Sequence, residues 1–329
     1  MNNLKKIGLS ALAGSLVAIS ANAAELTVSG SVEVTYTDTG GTTGNEITGN
    51  SFGAKSDMTF TGSGDVGFGT VTMNRALSDA GAITTSYQTL DMGDMGTFSF
   101  DSTAGQLVGI AANDDLMPTA YEEVWTGVSG SGIAGVGSTN VLGYTNTFAG
   151  VSISAGYTNG DGAAQTAESA SSGEGAHGSI RDIYLSMSPI DGLTIGAGQA
   201  VSSATDTGTT STDTVESIAN IVYTMGPVSA GYTVKESEDG TANAASHSIT
   251  GWSVAFNVNE NFAISYGELE NEQNAIAATA AIAEDVTGLS AAYTMGAASV
   301  RFNHSESSND GNTLSQDDET TEISLALSF

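Results

Sequence analysis

Residues 320–329 read Thr-Thr-Glu-Ile-Ser-Leu-Ala-Leu-Ser-Phe. In an extended strand successive side chains point to opposite faces. Ile323, Leu325, Leu327 and Phe329 therefore share one face, and Ser324, Ala326 and Ser328 share the other. A strand that is apolar on one side and ends on an aromatic in phase with that side fits a wall lying against lipid. The question for the rest of the chain is whether it supplies the partners that would close such a wall into a barrel, because lipid does not tolerate unpaired strand edges.

The same alternation recurs upstream. Leu26, Val28, Val32, Val34 and Tyr36 alternate with Thr27, Ser29, Ser31, Glu33 and Thr35. Paired runs such as Val151, Ile153, Ala155, Tyr157 and Trp252, Val254, Phe256 flank short turns at Ala149-Gly150 and Asn259-Glu260-Asn261. The pentapeptides Val222-Tyr-Thr-Met-Gly226 and Ala292-Tyr-Thr-Met-Gly296 each end at a turn, and place tyrosines where an aromatic girdle meets lipid headgroups. The third strand is read near residues 66–75, after a turn at Ser63-Gly64-Asp65, with an ambiguous apolar phase around Gly69. The pattern predicts an all-β, 16-stranded antiparallel transmembrane β-barrel, joined alternately by seven tight turns and eight longer loops. One interval departs from this rhythm. Over residues 103–139 the alternation lapses, and a gap of that length points to a functional loop.

Lys5 and Lys6 precede an uncharged apolar run, and Ala21-Asn22-Ala23 offers small residues for cleavage, so residues 1–23 read as a secretory signal and 24–329 as the barrel domain. With Lys5 and Lys6 removed, five basic residues face 37 acidic ones, a balance that excludes nucleic acid as a partner. Cysteine is absent, so neither disulfides nor thiolate metal sites are available. Gly49-Asn-Ser-Phe-Gly53 and Gly62-Ser-Gly-Asp-Val-Gly67 match nucleophile-elbow and dinucleotide strings. Both sit beside strands with no helix following, so the chemistry of those motifs has no scaffold. His177, His247 and His304 lack metal-ligand spacing. No catalytic residue, metal or required cofactor is expected, although the acidic loops offer possible sites for divalent cations.

The signal, the sixteen strands, the very long third loop and the closing strand together resemble the Gram-negative general porin family, especially the acidic porins of alphaproteobacteria. The resemblance implies a homotrimer in the outer membrane of a Gram-negative bacterium, with the third loop folded into each barrel to narrow the pore. It also implies that the closing strand, with Phe329 as an assembly signal, is read by the outer-membrane assembly machinery. Lipid, lipopolysaccharide and small hydrophilic solutes and cations are the other implied partners. Many such porins carry Pro-Glu and Gly-Gly-Asp in this loop, whereas this chain has Asn113-Asp114-Asp115-Leu116-Met117-Pro118 and Tyr121-Glu122-Glu123-Val124-Trp125, so the loop is assigned by position and length.

If the loop folds inward, Asp114, Asp115, Glu122 and Glu123 are the candidate constriction acids. Alternation with outward apolar neighbours makes Lys55, Lys235 and Arg301 the candidate lumen-facing bases. Arg75 and Arg181 share phase with apolar residues, which assigns them to a strand end or subunit contact. A Ser/Thr/Gly lining and a surplus of acid favour a water-filled, cation-preferring general diffusion pore. The alternatives are a substrate-specific channel, marked by an aromatic ladder or basic track, and a structural or adhesive barrel with a blocked lumen, marked by large apolar interior residues.

Overall fold

The structure is a computed structural model, and its described residues are 25–42, 47, 49–103, 108–128, 133, 135–137, 139–159, 177–204, 213–240, 245–274 and 281–329. The expected signal segment, with its cleavage point, lies outside them. Sixteen antiparallel strands form one closed barrel, each hydrogen-bonded to its sequence neighbours. They are β1 (Glu25–Gly41), β2 (Phe52–Asp65), β3 (Thr70–Ser78), β4 (Ile83–Asp91), β5 (Thr97–Thr103), β6 (Val141–Phe148), β7 (Val151–Thr158), β8 (His177–Ile190), β9 (Leu193–Ala204), β10 (Thr214–Met225), β11 (Val228–Asp239), β12 (His247–Asn259), β13 (Phe262–Gln273), β14 (Ile282–Met295), β15 (Ala298–Ser308) and β16 (Asp317–Ser328).

Closure is made by the C-terminal strand, β16. Val34 of β1 lies opposite Leu325 of β16 on one side and Ala54 of β2 on the other, so β1 has no free edge. Phe329 continues the pairing through reciprocal backbone bonds with Gly30, each 2.9 Å. Its ring covers Gly30, where a Cβ would come within 2.6 Å of it, and remains 76% exposed on the outer face.

The two faces separate as the alternation requires. Val34, Phe98, Leu142, Trp252 and Leu325 are exposed on the outside of the wall, an arrangement that water disfavours and a bilayer accepts. No helix among the described residues is long and apolar enough to cross a membrane, so the strands do the spanning. Tyr36 and Phe52 pair edge-to-face at 5.4 Å, as do Trp252 and Tyr266 at 5.8 Å, forming part of an aromatic belt towards the long-loop rim.

Two boundaries differ from the pattern reading. β2 continues through Asp65, the turn occupies residues 66–69, and β3 starts at Thr70. Val66 and Phe68 therefore belong to the turn, which is why no strand phase fits around Gly69. On the long-loop side the β3–β4 connection is only residues 79–82, shorter than the other seven on that rim. Arg75 and Arg181 both point outward with the apolar residues, opposite Phe60 and Tyr157 respectively.

Candidate functional site

The gap between Thr103 and Val141 is bridged inside the barrel. Starting at Gly109, whose amide donates to Ser154 Oγ at 2.8 Å, the third loop runs round the inner wall from β7 towards β16. Ser253 Oγ donates to the Pro118 carbonyl at 2.7 Å, the Ala120 amide donates to Ser265 Oγ at 2.8 Å, and the Tyr121 amide donates to Ser290 Oγ at 3.2 Å. Tyr121 Oη then donates to Glu322 Oε1 at 3.0 Å, and Thr320 Oγ1 donates to the Gly127 carbonyl at 2.7 Å. Lys55 of β2, whose side chain is 66% exposed, faces the passage left beside this end of the loop.

The first end of the loop is fixed by a buried carboxylate. Asp182 of β8 is 4% exposed and accepts from the Ile110 amide at 2.7 Å and the Val136 amide at 3.2 Å. Gly109 and Gly135, with φ of 67° and 54°, bring the two segments against it, and a Cβ on either would overlap the carboxylate. The Gly135 amide adds a bond to Glu216 Oε2 at 2.7 Å. A carboxylate held by several backbone amides is a strong anchor, because each bond is charge-assisted.

Apolar contact completes the docking. Ile110 and Ile133 pack against the inward-facing Tyr184, Ala200 and Ile218; Met117 and Val124 pack against Ile249, Leu269 and Val286; Val108 and Val136 pack against Val141. The lining is thus not uniformly small and polar. Where the loop lies, the wall turns apolar, since side chains covered by protein rather than by lumen water gain from burial. Room comes from seven inward glycines, Gly143, Gly156, Gly198, Gly231, Gly251, Gly267 and Gly288, at each of which a Cβ would collide with loop atoms. At Gly288 the obstruction is Val124 backbone at 2.6 Å, which no rotamer change relieves. Below the loop a polar recess of about 490 Å³ remains, lined by residues including Asn113, Thr145, Ser152 and Ser154.

The geometry of a closed barrel narrowed by an inward loop has a counterpart in known proteins. The sequence profile described as Gram-negative porin matches residues 8–258. The chain belongs to the Gram-negative porin family. No curated protein matches it in sequence. Among solved structures it is similar to a porin refined at 1.8 Å resolution, with a TM-score of 0.68 and 16% identity over 93% of this chain and 100% of that one. It is also similar to the anion-selective porin from Comamonas acidovorans, with a TM-score of 0.66 and 13% identity over 93% and 100% of the two chains. A trimer form of OmpT from Vibrio cholerae gives a TM-score of 0.63 and 14% identity over 93% and 100%.

Within this porin the charged loop residues divide into two groups. Asp114, Asp115 and Glu123 surround Lys235 electrostatically, whereas Glu122 acts on Lys55. Burial pushes Asp114 up to about 6 despite the opposing field of Lys235. Burial also raises Asp115, helped by the facing Glu123 carboxyl. Tyr121 is raised too, chiefly by burial.

Lys55, Lys235 and Arg301 all occupy inward register positions, but they meet different surroundings. Lys55 Nζ contacts Glu33 at 3.0 Å, and its side chain is 66% exposed to the lumen. Arg301 Nη1 lies 3.3 Å from the same carboxylate, with its guanidinium 4.9 Å over the Tyr121 ring. Lys235, in contrast, is 0% exposed beneath the loop and lines no open lumen, because Trp125 covers it at 4.6 Å. Pattern reading missed Glu33, Glu322 and Tyr121 as members of this group, and Asp182 as the anchor. Each carboxylate sits in the inward phase of its strand, and the inward glycines on seven strands were the available sign of a docked loop.

Proposed function

We propose that this outer-membrane porin is a general diffusion channel for small hydrophilic solutes and ions, and that it prefers cations. The observation carrying the preference is the charge balance around the Tyr121 end of the loop. Glu33, Asp57, Glu122 and Glu322 lie on or face the passage, against only Lys55 and Arg301, and both bases are paired to the single carboxylate of Glu33. A passage with surplus carboxylate concentrates cations and repels anions. The fold cannot set the sign, since a protein of the same fold bears the description anion-selective.

Association as a homotrimer is supported by the outer face of β3 and β4. There Arg75 lies among apolar outward residues with Ser86 Oγ at 3.3 Å, and Gln88 lies opposite Met73. An arginine facing lipid at mid-depth costs about 2–4 kcal/mol, which contact with another copy would offset. Phe329, in phase with the apolar face of β16, suits a role as an assembly signal. Export by the signal at residues 1–23 precedes that step. On the outer wall Glu270 lies opposite Asp285, and Glu306 opposite Glu319. Such facing carboxylates repel unless bridged, which supports divalent cations linking this rim to lipopolysaccharide.

The test is the reversal potential of the purified protein in a planar bilayer under a KCl gradient, with step conductance recorded together. Discrete steps and a potential on the potassium side are expected. An anion-selective potential would overturn the account of the passage, and folded barrels that never conduct would overturn the channel reading.

A further inference from the structure

Lys235 is the one inward-facing base whose position the passage does not explain. On β11 it stands in register between Ile218 and Ile249, two buried residues belonging to separate apolar clusters under the loop. Its side chain is fully buried, and its Nζ has no hydrogen-bond partner among the described residues. No carboxylate among the described residues comes within ion-pair distance of it; the contact recorded is the face of Trp125 at 4.6 Å. A buried ammonium without direct partners is strongly unfavourable unless surrounding charge compensates it. That compensation comes from Asp114, Asp115 and Glu123, all on the loop and all acting at longer range.

A permeating ion cannot touch Lys235, yet a charge embedded in poorly polarisable protein is felt further than one in water. We propose that Lys235 is a hidden specificity-determining residue: from behind the loop it discounts the carboxylates of Asp114, Asp115 and Glu123, and so holds the porin's cation preference to a moderate level. Glu122 faces Lys55 instead and is not among the carboxylates coupled to Lys235. Trp125 has a defined part in this arrangement. Its ring seals the ammonium from lumen water while offering it a negative face, so no counterion pairs with the charge directly, and salt screens only the part of its field that reaches the lumen. The inference rests on the channel reading, and the wild-type recording separates the two: a folded wild-type barrel that does not conduct refutes the channel, whereas the Lys235 variants are compared against a conducting wild type.

The experiment compares Lys235→Met and Lys235→Arg with the wild type by reversal potential under KCl gradients, at low salt near 0.1 M and at high salt near 1 M, where screening lengths are about 10 and 3 Å. Assembly is checked by heat-modifiable migration. Removing the charge is expected to increase the potassium-to-chloride permeability ratio about threefold at low salt, with a smaller gain at high salt. Conductance at high salt should remain that of the wild type, and Lys235→Arg should match the wild type throughout. An unchanged low-salt potential in Lys235→Met would overturn the proposal. So would a selectivity change equally large at high salt and accompanied by altered conductance, since that is the mark of a displaced loop. Should Lys235→Met fail to assemble, the charge-balanced Lys235→Met/Asp114→Asn pair is measured instead. Wild-type selectivity in that pair supports the cancellation, and a threefold departure overturns it.

Discussion

Replacing Asp182 with alanine removes the acceptor that ties both limbs of the loop to the wall. The carboxylate takes the Ile110 amide at 2.7 Å and the Val136 amide at 3.2 Å, and it also accepts from the Ala111 amide. Ile110 and Ala111 are buried, as is Val136, so water replaces the lost acceptor poorly. Each buried donor left without a partner costs about 1–3 kcal/mol. Three such donors, discounted for relaxation, give about 4 kcal/mol against docking of residues 109–111 and 135–137. At about 1.4 kcal/mol per tenfold, the undocked population rises about a thousandfold. The barrel ladder is untouched, so the effect is local rather than global.

Single-channel recording of Asp182→Ala in a planar bilayer should show increased open-channel noise and a larger or fluctuating unit conductance. Limited proteolysis of the folded protein should cut within the loop much faster than in the wild type. Asp182→Asn keeps one oxygen acceptor but turns an amide donor towards a backbone donor, so it should fall between the two. A heat-modifiable Asp182→Ala barrel with wild-type conductance, noise and protease resistance would refute the anchoring argument.

Three further outcomes are expected. Gly288→Val should displace the loop, because its Cβ alone would meet Val124 backbone at 2.6 Å, whereas Gly62→Ala, with only Met73 Cε at 3.9 Å, should leave conductance unchanged; equal behaviour of the two variants would deny the glycine groove. Asp114 titrates near 6 because burial disfavours its charge, so ionisation opposes docking and protonation favours it. As pH falls from about 7 to 5, cation preference should therefore decline while the loop is held more tightly, and Asp114→Asn should lose the portion of the pH response centred near 6. If the facing carboxylates of the outer wall are bridged by divalent cations, chelation should lower the thermal stability of protein reconstituted with lipopolysaccharide, and Glu306→Gln/Glu319→Gln should lessen that dependence; no change on chelation would remove the bridge.

The barrel was legible because lipid on one side and water on the other impose a period of two on every strand. Val34 opposite Leu325 closes the wall, as the alternation around each residue requires. Legibility ended wherever protein replaced one of the two solvents. Ile218, Ile249, Leu269 and Val286 face inward, yet they are apolar because the loop covers them, so they interrupt a simple two-faced pattern. The direction of Lys235 follows from its strand neighbours, but direction does not reveal what lies over a side chain, and its burial under Trp125 depends on a loop with no periodicity of its own. Asp182 was hidden for the same reason: alternation with Ile183 and Leu185 points it inward, while its amide partners are 72 and 46 residues away in sequence.

Charge placement also explains why the loop should dominate selectivity. Near the short-turn rim, inward hydroxyls pair across four hairpins: Thr147 with Ser152 at 3.0 Å, Ser188 with Thr194 at 3.1 Å, Thr224 with Ser229 at 2.9 Å and Thr294 with Ser299 at 3.1 Å. Each pair satisfies part of its own hydrogen bonding and itself carries no charge. Arg75 and Arg181, pointing outward, are removed from the lumen altogether. Around the loop stand Lys55 and Arg301 about Glu33, with Asp57, Glu122 and Glu322 beside them, and Lys235 behind the loop with its three carboxylates. With so few bases facing inward, a change of one charge in that short list alters the local balance directly. The sign of selectivity can therefore change between porins through a few substitutions while sixteen strands and an inward loop stay in place.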